Sequence, residues 1–235
     1  MVHSPLISAR DLSYVYPDGS LGVKDVNIDI SAGERVAIIG PNGSGKSTLI
    51  FLLSGLLKPT KGEVKIFGMV PDKKNIESIR RKMGVVFQNP DDFLFNPTVR
   101  DELLYVPRQL EMNEAEMRTL LLEYSKTFNL EDVLQKPPFR LSGGEKKKVE
   151  IASVLIYRPE VIFLDEPTAN VDGKTRRIVA EMMKKYDGTV VITSHELEII
   201  RELCNRIVLM SKGKIVADTR IEDLNQRMLE EIGVV

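Results

Sequence analysis

The residues Gly40-Pro41-Asn42-Gly43-Ser44-Gly45-Lys46-Ser47 carry the pattern G-x-x-x-x-G-K-[ST]. Glycine lets a backbone wrap an anion without a Cβ in the way. The N–H groups from about Gly43 to Thr48 can then converge on bound phosphates at the start of a helix, whose dipole also favours negative charge. Lys46 has the reach for β and γ phosphates, and the Ser47 hydroxyl suits Mg²⁺. At average composition a chance match in a chain of this size arises on the order of once in a hundred.

Other reactive side chains stand at the ends of apolar runs. Val161–Leu164 closes on Asp165 and Glu166. In a doubly wound sheet such carboxylates sit beside the phosphate loop, where Asp165 would hold Mg²⁺ and Glu166 would polarise the water that attacks a γ-phosphate. His195 follows Thr189–Ile192 and could hydrogen-bond that phosphate; Gln88 follows Val85–Phe87 and could touch the metal or the water. Leu141-Ser142-Gly143-Gly144-Glu145 precedes an amphipathic run, so Ser142, Gly143 and Gly144 at a helix N-terminus form a second anion site of the same physical kind.

These positions need a scaffold of alternating strands and helices. Val26, Ile28 and Ile30 alternate with Asn27 and Asp29, which predicts a half-buried strand. Arg35–Gly40 reads as a fully buried strand, followed by a helix over about 46–57, and Glu63–Gly68 is another short strand. Asn113 to Glu116 resembles a capping box, opening a helix with Leu120, Leu121, Tyr124 and Phe128 on one side. Val149, Ala152, Ser153 and Ile156 share a face of a further helix, and Lys146–Lys148 read as its solvated side. A helix over 173–186 separates the strands at 161 and 189, and Ile207–Met210 with Ile215–Ala217 forms a hairpin. The fold class is α/β, with a mainly parallel sheet, an antiparallel N-terminal sheet and an all-helical insert.

Composition narrows the alternatives. Lys and Arg number 33 against 34 Asp and Glu, a net charge of −1, which does not favour a broad nucleic-acid or anionic-membrane surface. The single cysteine, Cys204, excludes an internal disulfide and a cysteine zinc cluster. The richest apolar stretch, Leu49–Leu57, falls short of the roughly 18 residues of a membrane span. The segment Met1–Pro5 has no secretory pattern, so the expectation is a cytosolic chain that reaches a membrane only through a partner.

The ordered set Gly40–Thr48, Gln88, Leu141–Glu145, Asp165-Glu166, Ala169–Asp172 and His195 resembles the ATP-binding cassette (ABC) transporter ATPases over essentially the whole chain. Gln88–Thr98 and Leu141–Lys148 are most similar to the energy-coupling-factor ATPases that drive uptake of cobalt, nickel or vitamins.

That resemblance implies one RecA-like phosphate-loop domain over 1–235, with a core of 1–90 and 156–235 and a helical insert, 91–155, carrying the signature at Leu141. It implies ATP and Mg²⁺ as ligands, with Gly40–Thr48, Ser142–Glu145 and Asp172 on the nucleotide and Ser47, Gln88 and Asp165 on the metal. Glu166, His195, Gln88 and Lys46 take the catalytic roles. Tyr16 matches the aromatic that stacks on adenine, with Tyr14 as the alternative if the register differs by one strand turn. The loop Ala169-Asn170-Val171-Asp172 departs from the commoner Ser-Ala-Leu-Asp, and Glu145 stands where Gln is commoner.

The partners implied are a second ABC ATPase subunit, which closes the open face of the nucleotide with its own Ser142–Gly144, and an integral membrane subunit. The place of work implied is the cytoplasmic face of the cell membrane. Phe93-Leu94-Phe95 reads either as a groove for a helix of the membrane partner or as filler between insert and core. The alternative function is a soluble ABC ATPase for iron–sulfur assembly or nucleic-acid-linked work; no nucleic-acid partner is expected.

Overall fold

The computed structural model describes residues 4–233; His3 lies outside them. Strand β1 (Ile7–Val15) pairs antiparallel with β2 (Leu21–Ile30), where Val26, Ile28 and Ile30 are buried and Asn27 and Asp29 exposed, as the alternation requires. After β3 (Arg35–Ile39) the chain passes through the phosphate-loop segment into α1 (Lys46–Leu53). This helix is shorter than the expected 46–57, because Gly55 adopts φ +69° just beyond Ser54 and ends it. Strand β4 (Lys61–Ile66) then adds to β1, giving a three-stranded antiparallel sheet ordered β2-β1-β4.

A short α2 (Ile76–Arg80) leads to β5 (Met83–Val86). Three helices follow before the chain re-enters the sheet: α3 (Val99–Gln109), α4 (Glu114–Thr127) and α5 (Gly143–Leu155). Within the expected helical insert, α3 carries Pro107 inside it. The helix forms because the Thr98 hydroxyl caps its N-terminus through the Asp101 N–H (3.1 Å) and because Pro107 falls near its end. The expected face of α4, Leu120, Leu121, Tyr124 and Phe128, is buried.

The chain closes through β6 (Val161–Asp165), α6 (Gly173–Lys185), β7 (Thr189–Thr193), α7 (Leu197–Leu203), the hairpin β8 (Arg206–Ser211) and β9 (Lys214–Arg220), and α8 (Gln226–Ile232). The second sheet has the order β5-β6-β7-β3-β8-β9, parallel except for β9. Its inner strands are covered on both sides, which is why they read as unbroken apolar runs. Val36, Ile38, Val161 and Phe163 face α1 and the antiparallel sheet. Ala37, Ile39, Ile162 and Leu164 face α3 to α6. The parallel strands β3, β5, β6 and β7 therefore end at one edge, where the loops after them meet. Cys204 is a buried free thiol, which burial pushes up to about 12.

One expectation is overturned in α5. Lys146–Lys148 are not a solvated face: Lys147 is 1% exposed and forms an ion pair with Glu150, itself 0% exposed, at 2.9 Å. Beyond its first turn the helix is buried except at the half-buried Lys148, because it packs against β5, α3 and α6. Phe128, fully buried at the end of α4, joins this packing, and the Tyr124 hydroxyl donates to the Leu155 carbonyl at 3.0 Å. Phe128→Ala should cost about 3–5 kcal/mol, read as a lowered urea midpoint with an unchanged slope.

Candidate active site

The phosphate-loop segment is shaped by its neighbours. Gly45 holds φ +100°, and a Cβ there would stand 2.4 Å from the Gly22 carbonyl oxygen of β2. A Cβ on Gly40 would meet the Met210 carbonyl oxygen at 2.3 Å. The loop is thus wedged between the antiparallel sheet and the β8–β9 hairpin, and the Gly213 N–H of that hairpin donates to the Ser44 carbonyl at 2.9 Å. Any bulkier residue at either glycine would move the N–H groups out of register.

Over this loop lies a cavity of about 340 Å³. Asn42, Gly43, Gly45, Lys46, Ser47 and Thr48 form its floor; Tyr16, Leu21 and Gly22 form one wall, and Gln88, Asp165, Glu166 and His195 the other. Gly40, Pro41 and Ser44 are not part of its lining. The Lys46 ammonium folds back onto the Gly40 and Pro41 carbonyls, at 2.8 and 3.2 Å. Burial lowers its pKa, while Glu166 and Asp165 pull the other way. Tyr16 and Thr48 hydroxyls are hydrogen-bonded at 2.8 Å, and Tyr14 meets Tyr16 edge-on while packing against the core. Tyr16, not Tyr14, faces the cavity.

The carboxylate wall is held by a residue that sequence reasoning did not single out. Thr193, fully buried at the end of β7, donates its hydroxyl to Asp165 Oδ1 (2.6 Å) and accepts the Glu166 N–H (3.0 Å). Its one signal in the sequence is its place as the last residue of an apolar strand. Glu166 itself adopts φ +48°, a left-handed conformation that a glutamate takes only when its surroundings impose it. One of its oxygens lies 3.1 Å from His195 Nε2, and the other accepts the His195 N–H at 3.3 Å. Burial holds the Glu166 pKa above the usual carboxylate range; His195 and Lys46 lower it and Asp165 raises it further.

The remaining expected residues are not in this cavity. Ser142 caps α5: its N–H and its hydroxyl both donate to Glu145 Oε2, at 2.8 and 2.7 Å, while its oxygen accepts the Glu145 N–H at 3.3 Å. These bonds hold the Glu145 carboxyl below its ordinary pKa. Asp172 caps α6 through the Lys174 and Thr175 N–H groups, both at 2.9 Å. The two helix ends adjoin, since a Cβ on Gly144 would lie 3.0 Å from Asp172 Oδ2. The signature segment and the Ala169–Asp172 loop therefore form one surface, separate from the cavity of the same chain.

A parallel sheet covered by helices, with a phosphate loop after one strand and a metal-suited carboxylate plus a glutamate after another, defines a phosphate-loop ATPase. The comparisons specify which kind. The model of the ABC transporter family matches residues 23–169, and the chain belongs to that family, as one of its ATPases. It is 60% identical over 232 residues, 98% of each chain, to a putative ABC transporter ATP-binding protein of Archaeoglobus fulgidus. It is 43% identical over 219 residues, 91% of this chain and 70% of the relative, to the energy-coupling factor transporter ATP-binding protein EcfA of Methanothermobacter thermautotrophicus. Among solved structures, the dimeric post-hydrolysis form of the cassette MJ0796 bound to ADP and Pi superposes with a TM-score of 0.82, at 32% identity, over 93% of this chain and 100% of that one.

The raised pKa of Glu166 has a consequence for stability. A carboxyl whose pKa is higher in the folded state costs stability as it ionises, so the penalty grows as pH climbs above the ordinary value of 4.5. Glu166→Gln should therefore melt at a higher temperature than the wild type at pH 7. The difference should vanish below pH about 4, where both side chains are neutral. An equal melting temperature at both pH values would contradict the burial of an ionised Glu166.

Proposed function

We propose that the chain is the ATP-hydrolysing motor subunit of a membrane importer of the energy-coupling-factor type, whose solute is a metal ion such as cobalt or nickel, or a vitamin. The similarity to EcfA supports the type. The observation that carries the mechanism is the split of the site: one cavity gathers the phosphate loop, Gln88, Asp165, Glu166 and His195, while Ser142 lies outside its lining and bonds to its own Glu145.

On this reading the β and γ phosphates of ATP lie on the N–H groups from about Gly43 to Thr48, with Lys46 turning from the loop carbonyls to meet them. Tyr16 stacks on the adenine. Ser47, Gln88 and Asp165 are oxygen donors lining one cavity, a set that suits Mg²⁺, which takes few protein ligands besides phosphates and water. When bound, the ion neutralises charge between the phosphates. Glu166 accepts a proton from the attacking water, and His195 hydrogen-bonds the γ-phosphate and steadies Glu166.

A single chain leaves the outer face of that phosphate to solvent, whereas phosphoryl transfer needs preorganised donors in a water-poor site. A second subunit, identical or paralogous, supplies them. Its Ser142 hydroxyl leaves Glu145 for the γ-phosphate, and the Gly143 and Gly144 N–H groups point the same way, with Glu145 and Asp172 at the seam. Cleavage removes these contacts and the pair loosens. The dimeric MJ0796 cassette supports this arrangement.

The membrane subunit docks beside Gln88, and the motor works at the cytoplasmic face of the membrane; no helix among the described residues is long and apolar enough to cross one. Phe93 and Leu94 are part-buried against the core, which fits the filler reading for those two. Phe95 is 66% exposed and packs edge-on against the exposed Tyr105. The buried Glu102 takes the N–H groups of Phe95 and Asn96, at 3.1 and 2.8 Å, and so holds that aromatic outward. Phe93 also lines a cavity of about 180 Å³ together with Phe87, Val106 and Tyr157.

Two outcomes test the proposal. Glu166→Gln should lose about 10²–10⁴-fold in turnover while binding ATP as before; near-normal turnover would show the base to be another group. Phe95→Asp should leave the ATPase rate of the isolated chain unchanged and abolish its co-purification with an integral membrane protein. Retention of that partner would remove Phe95 from the docking surface.

A further inference from the structure

The buried ion pair of α5 reaches the segment that carries Gln88. Lys147 Nζ donates to the Phe87 carbonyl at 2.6 Å, to the Gln88 carbonyl at 3.1 Å and to Glu150 Oε2 at 2.9 Å. All three protons of the ammonium are thereby used. The other Glu150 oxygen accepts the Phe87 N–H at 2.7 Å. One step outward, Lys146 Nζ meets Asp91 Oδ1 at 2.5 Å. Phe87 and Gln88 have just left β5, so these backbone groups have no strand partners, and Lys147 and Glu150 of α5 supply them instead.

Packing alone does not call for this arrangement. Burying two charges costs desolvation, and well-packed apolar residues of similar volume fill such a space as well or better. What an apolar pair cannot do is bond the polar backbone at Phe87 and Gln88. Neither Lys147 nor Glu150 lines the nucleotide cavity, so neither acts on a reacting atom.

We propose that Lys147 and Glu150 are positioning residues that fasten the Gln88 backbone to the helix bearing Ser142, so that the two move as one body. The proposal rests on the reading of Gln88 and Ser142 above. Gln88 attends the nucleotide of its own chain and Ser142 that of the partner, so the fastening couples the two ATP sites of a dimer.

The test is a double-mutant cycle on the full-length protein, reading steady-state ATPase rate against ATP concentration. The first variant is Lys147→Met/Glu150→Leu, which removes both charges and leaves neither unpaired. It should melt within a few degrees of the wild type, lose about 10–100-fold in kcat, and show a Hill coefficient for ATP reduced toward 1. In a Gln88→Ala background the same pair of changes should cause no further loss. If the apolar variant does not fold, Glu150→Gln takes its place in the cycle, since it keeps the shape and the acceptor for the Phe87 N–H; the same loss of effect in the Gln88→Ala background is expected. An equal fall in kcat with and without Gln88, or an unchanged Hill coefficient, would overturn the proposal and leave the Gln88 reading standing. A Gln88→Ala protein with unaltered turnover and magnesium dependence would overturn both.

Discussion

The triphosphate is a dense cluster of negative charge, and the fold is arranged around a loop of backbone N–H groups that can meet it. Those groups converge only if Gly45 sits at φ +100° against the Gly22 carbonyl and Gly40 against that of Met210. The loop in turn depends on β3, buried between β7 and β8, for a fixed point of departure. The antiparallel sheet and the β8–β9 hairpin clamp it from either side. The same sheet edge then delivers Gln88, Asp165, Glu166 and His195, because parallel strands end together. Asp165 is the last paired residue of β6, and Gln88, Glu166 and His195 sit one or two residues past the ends of their strands, where side chains are free to face the crevice.

Strain and burial are concentrated at the same place. Glu166 keeps a left-handed backbone, an elevated pKa and a contact with His195, all imposed by Thr193 and the strand ends around it. A glutamate with a raised pKa is a stronger base than a solvated one, which suits the role proposed for it. By contrast, the Ser142 end of α5 is at rest: its hydroxyl is turned onto Glu145, and the capping box satisfies the helix by itself. On the proposed reading, a nucleotide held by a second chain competes with that internal bond. With a carboxylate at position 145 instead of an amide, the competition is stiffer, because Glu145 offers a full negative charge to the same hydroxyl.

Much of this was legible from residue types and spacing. The phosphate loop declares itself because its function demands glycines and one lysine at fixed offsets. The strands of the parallel sheet declare themselves because burial on both faces requires unbroken apolar runs, and Asp165, Glu166 and His195 follow directly from where those runs stop. What stayed hidden was set by tertiary contact. The bounds of α3 are one case, because its formation relies on the Thr98 cap and on packing against α4 and α5. Lys147 looked like one of three solvated lysines, since nothing in a local pattern says that Glu150 and the Phe87 carbonyl wait opposite it. Thr193 looked like the plain end of a strand, because its two hydrogen bonds go to residues 27 and 28 positions away.

The central claim is that one ATP is held by two chains, with the loop at Gly40–Thr48 of one facing the helix end at Ser142 of the other. The most direct measurement is a structure of the Glu166→Gln protein with MgATP bound. The account predicts two nucleotides at a symmetric interface, each with its γ-phosphate within hydrogen-bond distance of Lys46 from one chain and of Ser142 from its partner, and the Ser142–Glu145 bond broken. A nucleotide enclosed by a single chain, with every Ser142 still bonded to its own Glu145, would contradict it.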